Sequence, residues 1–80
     1  MSSILILKGH SESVYCLIKL NDVQLVSGSF DKLIKIWNYT NGNCLKTLNG
    51  HKGNIYSLIK INENQFLSGG ADKSIKMWSV

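Results

Sequence analysis

The two halves of this chain repeat each other at a fixed spacing of 41 residues. Between residues 7 and 39, 16 of 33 positions carry the same residue as the position 41 further on, with no insertion or deletion. The repeated pairs include Gly9-His10 with Gly50-His51, Ser27-Gly28 with Ser68-Gly69, Asp31-Lys32 with Asp72-Lys73, and Trp37 with Trp78. A period of this length indicates a repeat architecture, in which one unit cannot bury its apolar face alone and must pack against neighbours.

Each unit has the sequence pattern of short β-strands. The apolar, β-branched runs are brief, turn residues interrupt them roughly every ten residues, and no helical period extends through them. The pattern predicts four strands in the first unit, at 14–20, 24–29, 33–38 and 44–48, and three in the second, beginning at Ile55, Gln65 and Ser74. Between the third and fourth strands, Asn41-Gly42 is the dipeptide favoured in a type I′ hairpin turn, which needs φ > 0 at both residues. The sequence therefore predicts an all-β, antiparallel fold.

Each unit also has a Gly-His pair near its start, a Ser-Gly with an Asp shortly after it, and a Trp that closes the third strand. These residues lie in Ser27-Gly28-Ser29-Phe30-Asp31 and Ile36-Trp37, and again in Ser68-Gly69-Gly70-Ala71-Asp72 and Met77-Trp78. With the period, they make nearly the whole chain resemble the WD-repeat β-propeller family. One departure from the family pattern is that Asn38 and Ser79 stand where an Asp usually follows the Trp.

The resemblance implies two four-stranded antiparallel propeller blades. Residues 8–48 would form blade one, residues 49–80 would form blade two without its outer strand, and residues 2–7 would form the outer strand of a neighbouring or terminal blade. Because a propeller typically has 4–8 blades, the chain would be part of a larger propeller. Two routes remain open. Either copies associate into a six- or eight-blade ring, with the 2–7 strand pairing on a neighbour's 74–80 edge, or the chain is a fragment of a longer array.

Ser, His and Asp recur together in both units, as they do in an acyl-transfer triad. Two observations favour a structural role instead: adjacent units duplicate the set, and no Gly-x-Ser-x-Gly segment exposes a serine. The resemblance implies a hydrogen-bonded tetrad in each unit, in which the Asp orients the His, the His bonds the Ser and the Ser bonds the Trp indole. The tetrads are His10, Ser27, Asp31 and Trp37, and His51, Ser68, Asp72 and Trp78. We therefore expect no catalytic residue and no enzyme activity.

Several other kinds of site and location are disfavoured by what the sequence lacks. Neither histidine has cysteines or carboxylates at ligand spacing, so we expect no metal ion and no cofactor. Cys16 and Cys44 lack CxxC spacing and are not shared by the two units, so we expect them to fill the core. The chain has no apolar run long enough for a membrane span and no secretory signal. We therefore expect an intracellular, cytoplasmic protein.

The residues expected to contact a partner come from one end of the propeller, which is its top face in the family pattern. They are Ser13, Tyr15 and Phe30 in blade one, and Asn54, Tyr56 and Ala71 in blade two. The tyrosines matter most because exposed aromatic side chains are enriched where binding energy concentrates, although both could instead fill the channel wall. The resemblance implies a non-enzymatic scaffold for other proteins or peptides, with no small-molecule substrate.

The charge of the chain supports an alternative function. Nine basic residues, all of them lysine, stand against five acidic ones, and the net charge is +4. Such a surface attracts nucleic acid or another polyanion electrostatically. However, the chain lacks the arginine whose planar fork suits bidentate phosphate and guanine contacts. Nucleic acid is therefore the disfavoured class of partner.

Overall fold

The computed structural model of the chain describes residues 5–80. Its seven β-strands form two antiparallel sheets. The strands are β1 (Val14–Lys19), β2 (Gln24–Ser29), β3 (Ile34–Asn38), β4 (Asn43–Leu48), β5 (Ile55–Asn62), β6 (Gln65–Gly70) and β7 (Ile75–Ser79). Blade one is a four-stranded sheet in the order β1-β2-β3-β4, and blade two is a three-stranded sheet in the order β5-β6-β7. The predicted all-β antiparallel fold is confirmed. No helix long and apolar enough to cross a membrane occurs among residues 5–80.

The predicted outer strand at residues 2–7 lies partly outside the part of the chain that the structure describes. Its first three residues are not covered, and the described residues Leu5 to Leu7 belong to no strand. The equivalent segment in blade one, β4, pairs with β3 through partners such as Ile34 with Leu48. The role of residues 2–7 as an outer strand therefore stays a prediction.

The hydrophobic core lies between the two blades. Blade one contributes Leu20, Val26, Ile34 and Ile36, and blade two contributes Ile55, Leu58 and Phe66, all buried. Because successive side chains of a strand point to opposite faces, each sheet places only one of its two apolar faces in this core. The core therefore holds the blades together face to face, as repeat units do when each buries the surface of the next.

Gly28 marks the closest approach of the two blades. A Cβ atom at Gly28 would lie 2.5 Å from Cγ2 of Ile55 and 2.8 Å from Sγ of Cys16. A side chain there would collide with the neighbouring blade, so the position requires glycine. Cys16 is half-buried beside it, and burial raises the pKa of the Cys16 thiol.

The prediction that Cys44 fills the core is wrong. Cys44 is exposed on β4, because this strand is the outer edge of blade one and no neighbouring element among residues 5–80 covers it.

The turn between β3 and β4 also differs from the prediction. Among the described residues of this turn only Gly42 has a positive φ, of 83°, so the type I′ turn predicted for Asn41-Gly42 is wrong. The reason is the loop length: four residues separate the strands instead of two, and the Gly42 N–H donates to the Asn38 carbonyl at 2.8 Å. The Asn41 side chain instead accepts the N–H of Asn43 at 2.9 Å.

Candidate functional site

The four predicted tetrad residues of blade one lie within hydrogen-bonding distance of one another. His10 comes from the loop before β1, Ser27 from β2, Asp31 from the β2–β3 turn and Trp37 from β3. The Trp37 indole N–H donates to Ser27 Oγ at 2.8 Å, and Ser27 Oγ lies 2.6 Å from His10 Nε2. His10 Nδ1 lies 2.8 Å from the Asp31 carboxylate. The contacts form one continuous chain from the third strand to the loop that precedes the first.

Blade two places its four equivalent residues in the same way. The Trp78 indole N–H donates to Ser68 Oγ at 2.7 Å, and Ser68 Oγ lies 2.7 Å from His51 Nε2. His51 Nδ1 lies 3.0 Å and 3.1 Å from the two carboxylate oxygens of Asp72. Blade two adds two contacts that blade one lacks, because the Ser74 hydroxyl donates to Asp72 at 2.7 Å and lies 3.3 Å from His51 Nδ1, where blade one has Leu33.

Both aspartates act as acceptors for backbone N–H groups as well as for histidine. Burial raises the pKa of Asp31, but hydrogen bonds from His10 and from the N–H groups of Leu33 and Ser11 outweigh it, so this pKa lies below its ordinary value. For Asp72, the Ser74 hydroxyl and the Lys52 N–H contribute most, and they hold the pKa well below its usual range. The charged carboxylates therefore fasten the Gly-His loop to the β2–β3 turn in blade one and to the β6–β7 turn in blade two.

The Ser-His-Asp geometry has the connectivity of a hydrolytic triad, but the serine is not available for attack. Ser27 and Ser68 are both buried, and each hydroxyl oxygen already accepts an indole N–H. A catalytic serine must instead present its oxygen to a substrate.

Among residues 5–80, no three His, Cys, Asp or Glu side chains lie close enough together to hold a metal ion.

A turn with an unusual backbone holds each aspartate. Lys32 and Lys73, which directly follow the aspartates, have positive φ values of 72° and 67°. The Lys32 N–H donates to the Ser29 carbonyl at 3.2 Å, which closes a four-residue turn over residues 29–32, between β2 and β3. The left-handed conformation at a lysine is uncommon, and the Asp-Lys repeat gave no sign of it.

Three of the predicted partner-binding residues form an aromatic cluster across the two blades. Tyr15 and Phe30 stack with ring centroids 5.0 Å apart, while Tyr56 meets them edge-on at 5.4 Å and 5.9 Å. Tyr15 is 57% and Tyr56 47% exposed, and Phe30 is half-buried. The two tyrosine rings are therefore open to solvent, and the Phe30 ring is partly covered.

The other three predicted binding residues lie beside this cluster or at its counterpart in blade two. The Phe30 N–H donates to the Ser13 carbonyl at 3.1 Å, and the Ala71 N–H donates to the Asn54 carbonyl at 2.8 Å. These bonds join the loop before the first strand to the turn after the second strand in both blades. Blade two has Ala71 where blade one has Phe30, so this end of blade two has a single aromatic side chain, Tyr56, which leans towards blade one.

The family model described as "WD domain, G-beta repeat" matches residues 1–38 and 42–79 of this chain. The two matches begin 41 residues apart, in agreement with the period of the sequence. The second match begins just before β4, so the sequence repeat is offset by one strand from the sheets.

Two curated proteins illustrate what the chain is similar to. The F-box/WD repeat-containing protein 7 of Drosophila melanogaster is 42% identical over 43 residues, which are 54% of this chain and 3% of that protein. The "Probable E3 ubiquitin ligase complex SCF subunit scon-2" of Neurospora crassa is 49% identical over 43 residues, which are 54% of this chain and 6% of that protein. The chain thus spans a small part of the length of these relatives.

Solved structures are similar over almost the whole chain. The WD40 beta propeller domain of Doa1 superposes with a TM-score of 0.84 and 28% identity, over 91% of this chain and 25% of that one. The computationally designed Ika4 protein superposes with a TM-score of 0.82 and 30% identity, over 92% of this chain and 45% of that one.

Proposed function

Because this chain belongs to the WD-repeat family of β-propellers, we propose that it is a non-enzymatic scaffold that binds a protein or peptide at the aromatic cluster of Tyr15, Phe30 and Tyr56. The observation that carries the proposal is the cluster itself. Three aromatic rings from two blades contact one another, and the two tyrosines are about half exposed. Rigid aromatic side chains of this kind are enriched among residues that dominate binding energy.

The two tetrads support the proposal by fixing the backbone under the cluster. The Asp31 carboxylate accepts N–H groups from the loop before β1 and from the residue that precedes β3, and the Phe30 N–H bonds that same loop at Ser13. The aromatic rings are thereby presented by a loop with defined conformation. Little ordering is then needed when a partner binds, which favours affinity.

The relatives indicate what kind of partner this is. The name of the Neurospora crassa relative describes a subunit of an E3 ubiquitin ligase complex, which is an assembly of proteins. We infer a protein or peptide partner for this chain as well, in an intracellular setting compatible with the free thiols of Cys16 and Cys44.

A random peptide library displayed on phage tests the proposal over many candidate ligand sequences at once. Peptides selected on the immobilised chain are synthesised, and their affinity is measured by fluorescence anisotropy. We expect the double variant Tyr15→Ala/Tyr56→Ala to bind them at least ten-fold more weakly than the unaltered chain. Tyr39→Ala is the matched control, because Tyr39 follows the opposite end of β3 from Phe30 and donates to the Asp22 carbonyl. Equal binding by the double variant and the unaltered chain would refute the proposed site.

Salt dependence separates this proposal from the electrostatic alternative. Docking on aromatic rings changes little with salt, whereas binding of a polyanion through lysines weakens steeply as salt rises. A steep loss of affinity that is unaffected by the tyrosine substitutions would favour the polyanion function. Hydrolysis of ester substrates that disappears in Ser27→Ala while the fold is retained would refute the non-enzymatic part of the proposal.

A further inference from the structure

Two apolar sheet faces, one on each blade, are largely uncovered by residues 5–80 of the chain. The face of blade one that points away from blade two, called here the leading face, carries the exposed Val14 and Leu17, the half-buried Leu25, and Trp37, which is already buried at 3% exposure. The opposite face of blade two, called the trailing face, carries Ile59, Leu67, Ile75 and Met77. Leu17 is 63% and Ile75 is 78% exposed. The leading face forms the floor of a groove of about 470 Å³, whose lining also includes Leu7 and His10.

The contact between the two blades shows what covers such faces. Each trailing-face residue lies 41 positions after a residue of blade one that packs in the core, these being Ile18, Val26, Ile34 and Ile36. Each leading-face residue lies 41 positions before a residue of blade two that packs against them, these being Ile55, Leu58, Phe66 and Trp78. The two uncovered faces therefore have the same kind of side chain, at the same positions, as the two halves of the existing interface.

Residues 41 positions apart differ strongly in exposure between the existing interface and the two outer faces. Ile34 is 1% exposed in the core, whereas its equivalent Ile75 is 78% exposed. Leu58 is 8% exposed, whereas its equivalent Leu17 is 63% exposed. The two residues of each pair are of the same type, so the difference in exposure comes from their surroundings. Among residues 5–80, Leu17 lacks a facing blade, and Ile75 lacks both a facing blade and the outer strand that pairs Ile34 with Leu48 in blade one.

A glycine on the trailing face leaves space for a residue of the leading face. In the existing interface Ile55 packs on Gly28, where an added Cβ would come within 2.5 Å of Ile55. The equivalent Gly69 has no such neighbour among residues 5–80, since an added Cβ would meet only Ser57 Oγ, at 3.0 Å. The residue equivalent to Ile55 is Val14, which is 50% exposed. The space over Gly69 is therefore open, and Val14 of another blade would occupy it if that blade docked as Ile55 docks on Gly28.

One hydrogen bond at the edge of the existing interface also has equivalent groups on the two outer faces. Asn21 donates one side-chain N–H to Gln24 at 2.8 Å and the other to the Glu63 carbonyl of blade two at 3.1 Å. The equivalent Asn62 makes the same bond to Gln65 at 2.8 Å. The carbonyl equivalent to that of Glu63 belongs to Asp22 in blade one; it already accepts the Tyr39 hydroxyl at 2.7 Å, and a carbonyl oxygen has a second lone pair for another donor.

We propose that a second copy of this chain docks head to tail, with its leading face on the trailing face of the first copy. The docked pair would repeat the interface that already joins the blades, with Val14 on Gly69 and Asn62 bonding the Asp22 carbonyl. Because the two faces differ, each added copy exposes a fresh trailing face, and such an interface continues until rotation closes a ring. Blades are then added two at a time, so three or four copies make the six or eight blades of a closed propeller.

The test uses two variants that each block one face. Leu17→Asp places a charge on the leading face, and Ile75→Asp places one on the trailing face; both positions are largely exposed in the single chain, so the strands tolerate the change. The mass of each protein is measured by sedimentation, with circular dichroism to verify the β-structure. The matched control is Asn41→Asp, which adds the same charge in the β3–β4 loop and retains the acceptor for Asn43.

We expect the unaltered chain and Asn41→Asp to sediment at three or four times the monomer mass of 8.9 kDa. Each face variant alone should be a monomer, and an equimolar mixture of the two should form a one-to-one dimer, since one intact face of each kind remains. A monomeric unaltered chain would overturn the proposal and leave both faces to other blades. Assembly of either face variant by itself, or a mixture that stays monomeric, would overturn the head-to-tail arrangement.

Discussion

Replacing Ser68 with alanine should destabilise the protein by more than the loss of one hydrogen bond. Ser68 is 1% exposed, and its hydroxyl bonds two groups at once, the Trp78 indole N–H and His51 Nε2, each at 2.7 Å. Alanine would leave both of these groups without this partner. A buried polar group left unsatisfied costs about 1–3 kcal/mol, so we expect a loss of roughly 2–4 kcal/mol. A domain of this length has a free energy of unfolding of about 4–12 kcal/mol, so the change is large.

A double-mutant cycle separates this effect from simple loss of packing. Trp78→Phe removes the indole N–H, after which Ser68→Ala leaves only His51 unsatisfied. The two substitutions should therefore be less than additive, with a coupling free energy of about 1–2 kcal/mol. Urea unfolding followed by circular dichroism measures each free energy, at one protein concentration because association adds to apparent stability. Ser79→Ala, at an exposed position of β7, is the control and should change stability by less than about 0.5 kcal/mol. Additive effects at Ser68 and Trp78 would refute the shared bond.

Three further predictions concern pH, a turn and the close approach of the blades. The pKa of Asp72 is lower in the folded than in the unfolded state, so the Asp72 carboxylate contributes its full stabilisation above the unfolded value near 4 and loses it as the pH falls below that value. Because Asp72→Asn lacks this stabilisation, its acid unfolding should occur at higher pH than that of the unaltered chain, as measured by circular dichroism. Lys73→Gly should stabilise the chain by about 0.5–1 kcal/mol in thermal or urea unfolding, because Lys73 has a φ of 67° and glycine adopts it without steric cost. In the Leu17→Asp background, which should be monomeric and so leave Gly69 uncovered, Gly28→Ala should cost about 1–3 kcal/mol through collision with Ile55, whereas Gly69→Ala should change the free energy of unfolding little; equal effects there would contradict the difference in space between the two positions.

The period of the sequence was sufficient to predict the strands and the residues that meet within one blade. The four strands of the first unit were placed to within one residue at both ends, and the starts of the three strands of the second unit to within one residue. The four tetrad positions came from the resemblance to the WD-repeat family, and their polar groups do satisfy one another in both blades. Contacts inside one unit recur in the other unit, so the residues that make them are identical at positions 41 apart and can be recognised from the sequence.

Features that depend on one copy alone could not be predicted in this way. The type I′ interpretation of Asn41-Gly42 failed because the loop is longer than the dipeptide, and the second copy offers no equivalent loop for comparison. The expectation that Cys44 fills the core rested on the cysteine not being shared by the two units, but its burial depends on a neighbour of β4. The edge-on contact of Tyr56 with Phe30 joins different blades, and nothing in a repeat specifies which residues meet across that boundary.

The pattern of identity and change between the two units separates structure from specificity. Core positions exchange Val for Ile, Leu for Phe and Ile for Met, since a packed interior tolerates such changes when total volume is maintained. The tetrad positions do not change, because each of their polar side chains is the partner of another. Phe30 and Ala71 fit neither group, since they differ greatly in volume and neither lies in the core between the blades. The fold does not require an aromatic ring at Phe30, and this freedom is what a surface that recognises a partner needs.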